Sequence, residues 1–313
     1  MAPSDPLNDS DAGRAASAHH ARIDAIAAMR AMRRIGGAAR AGRSPWLHEE
    51  AARRMGERLA WIKRQPEQVL DWSGAAGASA GVLAGAYPRA RHGHVDEEAS
   101  PLAARPEAWW RRWLGGAGSR PVAAGAVPKA EAGLLWSNMR LHFEADPLPL
   151  LRAWHAALAP DGFLMFSTLG PGSLALLREV YAAQGWGPPH GPLVDMHDLG
   201  DMLVETGFAE PVMDQETLTL RYASPEALLD ELRGLGANFA PQRFAGMRTP
   251  RWREKLLAGL SARADEAGRI GLTLELVYGH AFRPAGAGPR VEAQTQIGLD
   301  DMKLMLRKPR TPK

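Results

Sequence analysis

The chain has 313 residues and no cysteine. Disulfides, thiolate nucleophiles and cysteine-based zinc sites are therefore excluded. No apolar run approaches the ~20 residues that span a bilayer. The opening MAPSDPLNDSDAG carries early acids where a signal peptide needs an apolar centre. The expectation is a soluble, cytoplasmic protein. Acids are also missing between Asp24 and Glu49, a stretch that holds Arg30, Arg33, Arg34, Arg40 and Arg43. Net charge is only +3, so the excess of positive charge is local, here and in the tail (Lys303, Arg307, Lys308, Arg310, Lys313). Such runs either solubilise a terminus or dock an acidic partner.

The length fits one large domain or two small ones. Residues 1–20, dominated by Pro, Ser, Asp and Ala, read as disordered. Apolar Ile23, Ile26, Met29 and Met32 predict a helix over 20–35, broken by GGAARAGRSP. WLHEEAARRMGERLAWIK (46–63) puts Leu47, Ala51, Met55, Leu59 and Ile62 on one helical face. Strands and helices then alternate. Strands are expected at 69–71, 91–96, 121–126, 133–138 and 163–169, and helices at 78–86, 106–114 and 147–158, with APDG (159–162) as a turn. This pattern predicts an α/β, doubly wound, mostly parallel sheet with helices on both faces. Further on, helices are expected at 173–183 and 195–208, the latter stopped by Gly207. The stretches SPEALLDELRGLGA and TPRWREKLLAGL each start with a hydroxyl cap and Pro at the first helical position. Strands at 211–222 and 271–284 should pair antiparallel at one edge.

Ligands of such sheets sit beyond the carboxyl ends of the strands. The first loop there, VLDWSGAAGASAGVL (69–83), leads from a strand-ending Asp71 into a helix. Asp96 ends the second strand, 19 residues after Gly77. That is the spacing of an acid that takes ribose hydroxyls. A pyrophosphate cofactor would prefer G-x-G-x-x-G, whereas the frame here is D-x-x-x-x-x-G, which fits S-adenosylmethionine (SAM). Asn138 and His142 follow the fourth expected strand and so stand at the ligand end of the sheet. His142 is weighed against a purely structural role. His197, in DMHDLGD, either fixes a helix start or lines the substrate site. Trp109, Trp110 and Trp113 with Arg111 and Arg112 form an aromatic–basic cluster, and Asp96 to Glu98 have no suitably spaced His to make a metal site.

LLWSNMRLHF, LAPDGFLMFSTLGPGSL, DMHDLGDMLVETGFAEPVMDQETLTL and LELVYGHAF carry a resemblance. The chain resembles class I SAM-dependent methyltransferases, and within them the biotin-pathway malonyl-[acyl-carrier protein] O-methyltransferase family, from about Trp46 to Pro284. The resemblance implies a Rossmann-like, seven-stranded sheet of order 3-2-1-4-5-7-6 with strand seven antiparallel. It also implies a SAM-dependent transferase of the EC 2.1.1 class, SAM as cofactor, and a malonyl group on an acyl-carrier protein as partner; neither a nucleic acid nor a membrane is expected as partner. An N-terminal helical extension (1–45), the methyltransferase-like domain (46–285) and a basic tail (286–313) are the expected parts.

The departures cluster at the cofactor. The family loop is D-x-G-x-G-x-G; aligned on Asp71 and Gly77, its first two glycines are Ser73 and Ala75 here. An alanine forced to positive φ costs about 1 kcal/mol or more, though Gly74 offers another way to turn. The family's acid after strand three falls on Gly125, its Phe-Asp before the fourth strand on Ala132-Gly133, and its aromatic–Asp lid pairs are missing around 35–45. The candidate cofactor-binding residues are Asp71, Ser73, Gly74, Gly77, Asp96 and Asn138; His142 and His197 are the substrate-lining candidates; no metal is expected and no catalytic residue is assigned. Two further readings remain: a methyltransferase fold that has lost SAM and serves as a binding or regulatory protein, and a methyltransferase with another substrate.

Overall fold

A computed structural model of the chain describes residues 23–42, 45–73, 77–95, 126–236 and 238–286. The elements are α1 (Ala25–Arg40), α2 (Trp46–Arg58), β1 (Gln68–Asp71), α3 (Ala80–Ala86), β2 (Arg91–His94), β3 (Ala132–Ser137), α4 (Pro147–Ala157), β4 (Leu158–Leu169), α5 (Ala175–Ala183), α6 (Met196–Glu205), β5 (Ala209–Tyr222), α7 (Pro225–Leu235), α8 (Pro250–Ser261) and β6 (Ile270–Phe282).

The strands form one mixed sheet of order β2-β1-β3-β4-β6-β5. β2, β1, β3 and β4 run parallel, while β6 is antiparallel to both β4 and β5. The doubly wound expectation and the antiparallel late pair hold. The described sheet has six strands where seven were expected; in the expected numbering they stand in the order 2-1-4-5-7-6, which is the expected order without strand three. Residues 121–125 of the expected third strand, the 106–114 helix and the Trp/Arg cluster on it lie outside the described residues.

Alternation along the central strands explains the two packed faces. Leu135, Leu164, Phe166 and Val277 point to one side, where α4 and α6 bring Leu151, Trp154, Leu199 and Leu203. Leu134, Trp136, Phe163, Met165 and Tyr278 point to the other, against Leu47, Ala51, Met55 and Leu59 of α2 and the turn after it, and Leu83 of α3. Each large side chain buried this way stabilises by about 1.5–3 kcal/mol. Polar contacts fasten α2 further. Arg58 lies 3.9 Å over the Tyr278 ring and pairs with Asp214 at 2.6 Å and Glu216 at 2.5 Å.

The helix starts follow their caps. The side chains of Asp146, Asp195, Ser224 and Thr249 accept the N–H of Leu148, His197, Ala227 and Trp252, and Gly207 closes α6 at φ 96°. Two expectations fail. α1 continues through Gly36-Gly37 to Arg40 instead of breaking there. APDG is part of β4, with Asp161 at φ 62°.

Candidate functional site

β1 and β3 end side by side: Asp71 registers with Trp136, and the N–H of Trp72 donates to the Trp136 carbonyl at 2.7 Å. The described residues that follow these ends are laced together. The Asp71 carboxylate accepts the Ser73 N–H at 2.8 Å, and Ser73 Oγ accepts the Asn138 N–H at 2.5 Å. The Asn138 amide donates to the carbonyls of His48 and Gly77, both at 2.7 Å, and its Oδ1 accepts the Ser167 hydroxyl at 2.6 Å. Ser79 donates to the Gly77 carbonyl at 2.9 Å and accepts from Trp136 Nε1 at 2.8 Å. Asn138, only 1 % exposed, thus ties the loop to α2 and β4. Its amide is spent inside the protein, which makes it a brace for the site.

Gly77 is glycine for a local reason: a Cβ there would stand 2.1 Å from the Ser73 Cβ. The departure at position 73 is therefore absorbed into the loop's packing. Among the described residues of this region, positive φ falls on Ala78 (52°) and Met139 (54°), at a cost of about 1–2 kcal/mol each. Gly74, Ala75 and Asp96 lie outside the described residues, as does Gly125.

Charge at the site is unusual. Asp71 is 8 % exposed, and burial pushes its carboxyl up to about 6, partly opposed by its hydrogen bonds with Ser73. Among the described residues no basic side chain pairs with it. His48, on the buried face of α2, is driven down to about 4 by desolvation. His142 is driven down to about 3 by desolvation, helped by His48 and Arg140. Both imidazoles are neutral at physiological pH.

His142 borders a cavity of about 620 Å³. It sits 3.3 Å from Thr168 Oγ1 through Nδ1 and packs at a tilt of 40° against Phe143, with ring centroids 4.2 Å apart. The cavity opens beyond the carboxyl end of β4 and is walled by α5, α7 and α8, chiefly with leucines. α1 backs it: Ile23, Ala28, Ala31 and Ile35 pack with Phe143 and Phe239, two of its lining residues. His197 is elsewhere. It is exposed on the first turn of α6, and its Nδ1 lies 2.8 Å from Asp195 Oδ1, so the structure gives it the helix-start role and no place in the cavity wall. The structure thus brings Asp71, Ser73, Gly77, Asn138 and His142 to one end of the sheet.

Sequence reading missed His48, Ser79, Ser167 and Thr168. His48 had a signal, since it shares a helical face with Ala51, Ala52 and Met55; the other three had none. No group of three or more His, Cys, Asp or Glu placed to hold a metal occurs among the described residues. No helix there is long and apolar enough to cross a membrane.

No family model matches the chain. The malonyl-[acyl-carrier protein] O-methyltransferase of Gallionella capsiferriformans is 38% identical over 253 residues, covering 78% of this chain and 86% of that protein. The proteins of the same name from Laribacter hongkongensis and Halorhodospira halophila are 35% and 34% identical, covering 79% and 81% of this chain and 86% and 87% of their own length. Among solved structures, the 1,6-didemethyltoxoflavin-N1-methyltransferase of Burkholderia thailandensis aligns over 90% of this chain and 94% of its own, at 18% identity and a TM-score of 0.45, too distant to bear on the site. With identity of this level spread over most of each relative's length, the chain belongs to the malonyl-[acyl-carrier protein] O-methyltransferase family.

Proposed function

We propose that this chain transfers the methyl group of SAM to the free carboxylate of a malonyl group borne by an acyl-carrier protein. The observation that carries the cofactor half is Asp71. A buried carboxylate with no cationic partner among the described residues, at the carboxyl end of β1, is costly alone and fits a ligand that brings positive charge. SAM brings an ammonium and a sulfonium. The acceptor half rests on the relatives' names.

Asp71 would hold the cationic end of the cofactor, with Ser73, Gly77 and Asn138 fixing the loop that shapes its seat. Gly74 and Asp96 complete the proposed set, Asp96 by its sequence distance from Gly77. The bound cofactor supplies an activated methyl. A carboxylate is already ionised at neutral pH, so no residue need abstract a proton. That agrees with His142, whose low pKa suits a neutral wall better than a base. What remains for the protein is alignment of acceptor with donor and exclusion of water, for which the apolar cavity beside His142 is suited. The laced loop favours this reading over a fold that has lost its cofactor.

Calorimetry with S-adenosylhomocysteine, followed by mass spectrometry of malonyl-carrier protein incubated with SAM, tests both halves. Micromolar binding and gain of one methyl are expected. No binding would sink the cofactor half; binding without methylation would sink the acceptor.

A further inference from the structure

The cavity is much larger than a malonyl group requires, and its two ends differ. At the inner end are His142 and the fully buried Leu274. At the outer end Arg248, partly exposed, follows Met247, which is 95% exposed. The Arg248 guanidinium carbon lies 4.2 Å from the ring centre of Phe244, 4.8 Å from Trp252 and 6.0 Å from Trp186. Aromatic faces hold a guanidinium by its own faces and leave its N–H edge clear. Among the described residues no hydrogen bond or ion pair engages that edge. An edge of fixed orientation, presented at the mouth of an apolar cavity, is suited to bidentate capture of a phosphate or carboxylate.

The two ends then take different parts of one substrate. A thioester on a carrier protein hangs from a long, flexible pantetheine arm joined to the protein by a phosphate. The reacting carboxylate has to reach the cofactor end, past His142, so the anion left at the solvent side is the phosphate. Resting on the acceptor named above, we propose that Arg248 grips the phosphate of the pantetheine arm and that the leucine-lined cavity holds the arm between Arg248 and His142.

Calorimetric titration of the full chain with 4′-phosphopantetheine and with pantetheine, which lacks the phosphate, tests this without turnover. The wild type should bind the phosphorylated arm at least tenfold more tightly. Arg248→Ala should bring the two affinities together. Arg248→Lys, which keeps the charge but loses the planar fork, should restore part of the difference. Thermal unfolding midpoints confirm that each variant is folded. Equal affinities in the wild type, an undiminished preference in Arg248→Ala, or no binding of either arm would overturn the proposal. These outcomes are separate from the methylation assay, which fails only if the cofactor or the acceptor is wrong.

Discussion

The hydroxyl oxygen of Ser73 accepts the backbone N–H of Asn138 across 2.5 Å, joining the loop after β1 to the end of β3. The family frame puts a glycine at position 73. Restoring it would strip a partner from a buried N–H, at a cost of about 1–3 kcal/mol. Ser73→Gly is therefore expected to lower stability in urea denaturation by roughly that amount and to leave S-adenosylhomocysteine affinity no better. Tighter binding with unchanged stability would mean that the serine is mere damage.

Gly77→Ala should fail for a related reason. Its Cβ would meet the Ser73 Cβ at 2.1 Å, and overpacking of this kind costs about 1–3 kcal/mol. Because the obstacle is a single side chain, the double variant Ser73→Gly/Gly77→Ala should be more stable than the sum of the two single losses. A double-mutant cycle in urea measures the coupling; strict additivity would contradict the contact.

Asp71→Asn separates stability from binding. Burial holds the folded carboxyl at about 6, above its ordinary 3.8. Its contribution to stability is therefore full below about pH 3.8 and lost as pH rises through 6. Above pH 6 the neutral amide, which still accepts the Ser73 N–H, should raise the unfolding midpoint and weaken cofactor affinity tenfold or more. A variant no more stable at pH 8 than the parent would show that the charge is not costly there.

Acid should act the other way through two histidines. His48 and His142 have folded values of about 4 and about 3 against 6.5, so the unfolded chain takes up protons first. Their contribution is full above pH 6.5 and is lost as pH falls towards 3. Two imidazoles oppose one carboxyl between pH 6 and 4, and the unfolding midpoint should fall across that window. His48→Gln/His142→Gln should flatten the fall; an unchanged profile would reassign it.

Carrier-protein docking should depend on salt. Arg30, Arg33 and Arg34 are all exposed on α1, and Arg34 also donates to the Gly236 carbonyl after α7. Rim charges mainly speed encounter and are screened. Binding is expected to weaken severalfold from low to physiological salt, and Arg30→Glu/Arg33→Glu to weaken it again, as read by surface plasmon resonance. Indifference to both would remove α1 from the interface.

Much of this architecture is legible in single stretches. FLMFSTL shows a buried strand by its unbroken apolar run, and Ser224-Pro225 and Thr249-Pro250 mark helix starts because the cap and the missing N–H act locally. Asp71 is legible as a strand end. Gly36-Gly37 misleads, because α1 is held by Ala31 and Ile35 against Phe143 and Phe239, far along the chain. APDG misleads because Asp161 and Gly162 are paired with Arg283 after β6, a contact with no local trace. The same holds for the brace at Asn138, whose partners His48 and Ser167 come from other elements.

α1 stands outside the sheet, yet it is anchored at both ends of its contact with the acceptor side. Asp24 pairs with Arg243 at 2.7 Å and donates its N–H to the Phe239 carbonyl at 2.8 Å, while Arg34 reaches Gly236. The cavity proposed for the acceptor is thus backed by a segment that lies outside the strands and outside the described network of Asp71, Ser73 and Asn138. Under the proposed assignment of the cavity, changes along residues 23–40 are expected to alter which acyl group enters and how quickly it leaves more than methyl transfer itself, so selectivity and chemistry would be separately adjustable.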